Sequence, residues 1–383
     1  MRLAYPVLWP RLGRDASQEQ SVKTAASLAR QGVEVTLILP RGRRDPALGA
    51  QDLRSWFAVE GDFQVIQVPT RWGGPHLASS CLWLLQLFRS SRLRSAELLY
   101  SRVPAMIGAG QVSPIPFATE QYRLWPDEWP FLRRHVRRTA RHRRCLGYIL
   151  HSGFAADSYR KAGVPEGKLL VAHNGADLAP DAPGRSAARN RLGLPAGAAI
   201  AVYAGRMNER KGLDQILALA DLRPGTLFLL VGSEREGAIE AEARRRPNVR
   251  IFGWQPPQRL PLYLAAADIL LIPPSSEPLE RFGSSVLPMK TFSYLAAARP
   301  IIAPRTPDLA DVLADGGNAL LVDPGDPELA AAALDRILGD RSLARRLSDG
   351  AARSALGFSW DARAERIAGF LRRRLAEPGP ACR

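Results

Sequence analysis

Short, nearly continuous apolar runs recur along the chain, separated by longer stretches whose apolar positions fall three and four residues apart. The short runs predict strands at 3–8, 33–39, 63–68, 98–100, 115–118, 148–150 and 169–172, then at 200–204, 227–231, 249–252, 269–272, 301–303 and 320–322. The spaced stretches, 20–31, 213–220 and 328–338 among them, predict helices. Strands without polar alternation, separated by helices, are those of a parallel sheet covered on both faces. Two such series in succession predict an α/β protein of two doubly wound, Rossmann-like domains. The stretch 177–193, with Leu-Ala-Pro-Asp-Ala-Pro-Gly-Arg-Ser inside it, breaks the periodicity and sets the boundary. The expected domains are 1–178 and 179–359. A final helix over 360–376, with Ile367, Phe370 and Leu371 on one side, is expected to pack back on the first domain.

A length of 383 residues agrees with two domains. Three scattered cysteines, Cys81, Cys145 and Cys382, exclude a disulfide framework and show no zinc-ligand spacing. No metal site is expected. The start of the chain carries no leader-peptide pattern, and its longest apolar run, 81–88, is far short of the ~20 residues of a membrane span. These features lead to the expectation of a cytoplasmic protein that is soluble or rests on the inner face of a membrane. Charge narrows the partners. Fifty-three Lys and Arg stand against 37 Asp and Glu, for a net +16. Residues 1–178 hold 25 basic and 14 acidic groups, so the excess lies mainly in the first half. Anionic partners are favoured. Lysine is scarce: Lys23, Lys161, Lys168, Lys211 and Lys290 are the five.

The sharpest local signal is Ala-Val-Tyr-Ala-Gly-Arg-Met-Asn-Glu-Arg-Lys-Gly at 201–212. A strand ends near Gly205, a helix begins after Gly212, and Arg206 and Lys211 flank the turn. Glycine admits a ligand close to the backbone, a helix start offers free amides, and the two side chains supply a fork and a point charge. A cradle for a diphosphate is one reading; a charged surface turn is the other. A second segment runs from Asp268 through Glu277 and Glu280 to the Pro-Met-Lys-Thr-Phe-Ser-Tyr-Leu-Ala-Ala-Ala-Arg-Pro run at 288–300.

Taken in order, these segments resemble the GT-B glycosyltransferases of the glycogen-synthase-like and mannosyltransferase-like group, often called family four. The similarity spans essentially the whole chain. It implies two Rossmann-like domains facing across a cleft, the N-terminal one taking the acceptor and the C-terminal one the nucleotide-sugar donor. It implies that Gly205, Arg206 and Lys211 hold the donor diphosphate, and that Gly253 and Trp254, after Val231-Gly232, line the nucleotide. Lys290 joins the donor site, and Asn174, Gly175 and Asp177 form the hinge turn. It also implies retention of anomeric configuration without a protein nucleophile or added cofactor, the departing diphosphate taking the acceptor's proton. Arg206 and Lys211 would then be catalytic through charge stabilisation. The chain departs from the family where two glutamates with seven residues between them are usual: Ser285 and Ser293 stand there, with Glu277 or Glu280 a substitute carboxylate in the preceding loop. A non-catalytic binding or scaffold protein of the same fold is therefore the alternative reading. Of the glycines usual after the first strand, Gly13 remains.

In the first half, Glu120 matches the family's strand-end glutamate and is a candidate catalytic group; a carboxylate bound to a nearby arginine is the competing reading. The run 133–144 holds seven arginines and two histidines. Trp125, Trp129, Phe131 and Leu132 precede it. As a helix it would gather Arg133, Arg137, Arg141 and Arg144 on one face beside Arg134 and Arg138. Such a face suits either an anionic membrane leaflet or plain solvent. No nucleic-acid module accompanies it, so nucleic acid is not an expected partner. The expected activity is transfer of a sugar to a saccharide or lipid-linked acceptor in cell-surface glycan assembly.

Overall fold

The computed structural model describes residues 1–71, 77–178, 181–208, 211–275 and 287–377. The chain divides into two compact units, Met1–Gly175 with Trp360–Arg383, and Ala176–Ser359.

The first unit holds β1 (Arg2–Pro6), β2 (Glu34–Arg41), β3 (Gln64–Pro69), β4 (Leu98–Ser101), β5 (Phe117–Gln121), β6 (Cys145–Leu150) and β7 (Leu169–Val171). They form one parallel sheet in the order β3-β2-β1-β4-β5-β6-β7. In β1, Leu3 and Tyr5 enter the core on one face while Ala4 enters that on the other. Both faces are covered, which is why the strands read as unbroken apolar runs.

The second unit holds β8 (Ala199–Ala204), β9 (Thr226–Ser233), β10 (Val249–Gly253), β11 (Ile269–Leu271), β12 (Ile301–Pro304) and β13 (Leu320–Val322). Their parallel order is β10-β9-β8-β11-β12-β13. Ile200, Val202 and Ala204 face one core, Ala201 and Tyr203 the other.

Every strand read from the sequence is present, with ends displaced by a few residues. The largest displacement has a cause. β6 runs back through Gly147 to Cys145, and a Cβ on Gly147 would lie 2.6 Å from the Phe370 ring. That glycine admits the helix Trp360–Ala376. That helix buries Ala364, Ile367, Ala368, Phe370 and Leu371 in the first unit's core. Each large apolar side chain among them contributes roughly 1.5–3 kcal/mol. The stretch 177–193 also holds a helix, Arg185–Arg191. Arg189 hid it, because a buried arginine stands where an apolar residue would mark the core face. Its guanidinium donates to the carbonyls of Ala266, Ala196 and Ala198 and pairs with Asp268 at 2.7 Å.

In both sheets the order reverses beside the first strand, between β1 and β4 and between β8 and β11. Crevices at the carboxyl ends of such strands are where open α/β sheets place their ligands. No helix among the described residues is long and apolar enough to cross a membrane.

Candidate functional site

At the β8–β11 reversal, Tyr294 ties the two strands together: its hydroxyl accepts from the Ala204 amide at 2.7 Å and donates to the Leu271 carbonyl at 3.3 Å. Immediately beyond, the backbone is open because three glycines lie against one another and against neighbouring side chains. Gly205 has φ +149°, and a Cβ there would meet Lys290 Nζ at 2.7 Å. A Cβ on Gly232 would lie 2.3 Å from the Gly205 carbonyl oxygen. Gly212, left-handed at φ +64°, caps the helix Leu213–Leu222, and a Cβ on it would strike Ser275 at 2.3 Å. The ends of β8, β9 and β11 and the start of a helix therefore converge, with Lys290 and Ser275 against the glycines. The unpaired amides of that helix's first turn and its dipole favour an anion.

Three cations stand around this opening. Lys290, first residue of the helix Lys290–Ala296, places Nζ 3.5 Å from the centroid of the Tyr203 ring. Tyr203 Oη donates to the Arg206 carbonyl at 2.8 Å, fixing the turn that carries Arg206. Arg206 is exposed, with Nε 3.7 Å from a Glu234 oxygen. Burial and the neighbouring Arg206 lower the Lys211 pKa, and burial together with Lys211 pushes Lys290 well below the usual lysine range. A neighbouring positive charge contributes to each shift, Lys211 being exposed at the surface and Lys290 half-buried. Gly253 ends β10, and the Trp254 amide donates to the Ser233 carbonyl at 2.8 Å, placing the indole at the carboxyl edge of the same sheet. Ser293 is half-buried one turn along from Lys290. Ser285 and Glu277 lie outside the described residues.

The first unit's edge is built differently. Glu120, in β5, is 0% exposed, as is Arg363 of the C-terminal helix, which donates to it at 2.8 Å and to Thr24 Oγ1 at 3.0 Å. Gln20, His151 and Tyr100 also bond the carboxylate, and Arg102 Nε lies 3.4 Å away. Burial alone would raise the carboxyl pKa, but Arg363, His151 and Arg102 outweigh it and hold Glu120 far below the ordinary carboxylate range. Burial pushes His151 down to about 4 against the pull of Glu120, so the neutral imidazole donates from Nε2. The arrangement is that of the competing reading of Glu120, a carboxylate bound to a nearby arginine. The carboxylate takes Arg363, Gln20 and His151 at Oε1, with Arg102 beside it, and Tyr100 at Oε2. It holds β5, the helix Ala16–Arg30 and the C-terminal helix together.

Gly13 lies in the loop after β1, its amide bonded to Gln18 Oε1 at 2.8 Å and its carbonyl to Trp56 Nε1 at 3.1 Å. Asn174 is buried, and a Cβ on Gly175 would lie 2.5 Å from the Trp360 ring, so close chain packing requires that glycine; Asp177 is exposed. In the helix Leu132–Arg141, Val136, Thr139 and Ala140 face inward and Arg133, Arg134, Arg137, Arg138 and Arg141 outward. Arg144 is a correction: the helix ends at Arg141, and Arg144 turns back to donate to the Ser113 carbonyl. A surface recess of about 270 Å³ is lined by Arg134, Arg137, Arg138, Arg141 and His142. Trp129 and Phe131, 52% and 63% exposed, pack edge to face at 5.8 Å. Among the described residues no His, Cys, Asp and Glu group could hold a metal ion.

Sequence reasoning missed Arg363, His151 and the Tyr203–Lys290 stack. No local signal marks Arg363 or His151, since their partners come from distant elements. The lysine and tyrosine were each visible, but not their meeting.

The two-sheet architecture with a cationic, glycine-lined strand edge defines a GT-B protein. Residues 20–180 match the model of Glycosyltransferase Family 4, and residues 184–354 that of Glycosyl transferases group 1. The chain belongs to this family-four type of GT-B glycosyltransferase. It is 34% identical over 233 residues to a D-inositol 3-phosphate glycosyltransferase of Acidothermus cellulolyticus, covering 56% of this chain and 50% of that one. It is 32% identical over 165 residues to LpsE, a lipopolysaccharide core biosynthesis glycosyltransferase of Rhizobium meliloti, covering 42% of this chain and 46% of that one. The chain spans about half the length of the curated relatives it matches. Among solved structures, Anabaena HepE in complex with UDP-glucose superposes with a TM-score of 0.71 at 17% identity, over 97% of this chain and 100% of that one. Sucrose-phosphate synthase from Thermosynechococcus elongatus gives 0.75 at 19% identity, over 98% and 99%.

Proposed function

We propose that the protein transfers a sugar, with retention of anomeric configuration, from a nucleoside-diphosphate donor to a saccharide or lipid-linked acceptor in cell-surface glycan assembly. One observation carries the reading: Arg206, Lys211 and Lys290 gather where three glycines expose the β8–β11 edge. A diphosphate matches that charge and that backbone. The HepE complexes with UDP-glucose and UDP support a nucleotide-sugar donor, and LpsE supports a glycan acceptor. Chemically, the step breaks the bond between the anomeric carbon and the diphosphate oxygen and forms one to an acceptor oxygen. The acceptor's proton passes to the departing diphosphate. Arg206 and Lys211 stabilise the charge that grows there, and fixed positioning supplies the rest.

Melting temperatures with UDP-, GDP- and ADP-sugars test the donor assignment. One base should raise the transition clearly, and the anomeric coupling constant of the product then reads retention or inversion. No shift with any donor overturns the proposal. Binding without transfer to any acceptor would favour the scaffold reading that Ser285 and Ser293 raise. We further propose that the arginine face of Leu132–Arg141, beside exposed Trp129 and Phe131, docks on an anionic membrane surface.

A further inference from the structure

Lys290 is placed differently from the other two cations of the β8–β11 edge. Arg206 and Lys211 belong to the turn after β8, whereas Lys290 opens a helix and sends its amine back onto the sheet. That amine rests on the face of Tyr203, itself buried, and occupies the volume that a side chain at residue 205 would fill. The titratable and charged groups around it are Tyr203 on β8, Lys211 on the turn with Arg206 beside it, and Tyr294 one turn along its own helix. Among the described residues no carboxylate pairs with it. A ring face attracts an ammonium, but weakly compared with the penalty of holding a second positive charge near Lys211 in a poorly solvated space. An incoming diphosphate reverses that balance, because its oxygens bring negative charge to the same few ångströms.

We propose that Lys290 makes this site proton-coupled: binding of a nucleoside diphosphate at the Gly205 edge is accompanied by uptake of one proton from solvent onto the Lys290 amine. The inference rests on the donor reading given above. It adds that the third cation is created by the ligand rather than kept waiting in the empty protein. The only bond formed in the step is N–H, and the proton is returned when the nucleoside diphosphate leaves. Affinity therefore rises as pH falls through the window between the amine's affinity for protons in the empty and in the bound protein.

The chain's five lysines make the proposal measurable. Reductive methylation with labelled formaldehyde gives one resolved NMR signal per lysine, and Lys290→Arg assigns the one that matters. In the empty protein that signal should titrate below the ordinary lysine range, and with UDP, GDP or ADP, whichever binds, it should move up by about one pH unit or more. Calorimetry of the same three nucleotides in two buffers of different ionisation enthalpy should show uptake of about one proton in the wild type and close to none in Lys290→Met. Binding without proton uptake, or a Lys290 signal that titrates with the other lysines, overturns this proposal and leaves the donor reading standing. Binding of none of the three nucleotides overturns both. The wild-type titration decides the matter even where Lys290→Met does not fold.

Discussion

The carboxyl edges of the two sheets share one topology, one order reversal and a concentration of charge, yet they are built for opposite ends. At the first, a single buried carboxylate is enclosed by Arg363, Arg102, His151, Gln20 and Tyr100. At the second, Arg206, Lys211 and Lys290 gather around glycines, with Glu234 3.7 Å from Arg206. The difference teaches how to separate architecture from chemistry in a fold used twice. Charge neutralised inside a unit fastens elements together; basic groups beside open backbone suit an anionic ligand. Topology locates both edges but assigns neither.

The largest effect should come from unbalancing the closed edge. Arg363→Ala leaves an uncompensated buried carboxylate and should cost about 3–5 kcal/mol in denaturant melts, whereas the double variant Glu120→Gln/Arg363→Met should regain most of that. A loss below about 1 kcal/mol for Arg363→Ala would mean the cluster is not structural. At the open edge the pattern should invert. Arg206→Ala and Lys211→Ala should each slow sugar transfer by roughly 100- to 1,000-fold, while stability changes stay within about 0.5 kcal/mol. Full turnover at saturating donor in either variant would remove the distinction.

Acid should find the closed edge next. His151 is held down to about 4, against ~6.5 in an unfolded chain. The unfolded state binds a proton that the native state refuses, so stability present above pH ~6.5 should drain away as pH falls toward 4. Glu120, held low in the native state, adds to the loss below pH ~4.3, where only the unfolded carboxyl protonates. His151→Gln should flatten the upper part of that slope in melts run across pH; an unchanged slope would exclude His151 as its source. The smallest effect on stability is expected on the exposed helix. Reversing Arg134, Arg137, Arg138 and Arg141 to Glu should leave the melt within about 0.5 kcal/mol but abolish flotation with anionic liposomes. Equal flotation would make the face a solvated one.

Most of the fold was legible in the chain because burial on both sheet faces leaves a local imprint: unbroken apolar runs such as 200–204 need no partner to be recognised. The cradle around Gly205 was legible for a related reason, since Gly205, Arg206, Lys211 and Gly212 lie within one turn of the chain. Glu120 was not. Its decisive partner, Arg363, is 243 positions away, and an arginine inside an amphipathic helix looks like any exposed one. Arg189 concealed a helix by the same route, and Arg144 left the basic face because the helix stopped at Arg141.

By itself the sequence determined the two series of strands, the helices between them and the strand-to-helix turn that gathers an anion site, since each depends on neighbours within a few residues. Tertiary structure alone decided that the glutamate of β5 is sealed among donors and that the amine of Lys290 lies on Tyr203. Those outcomes turn on which charges come close and how much water remains between them, and neither quantity exists until distant segments have met.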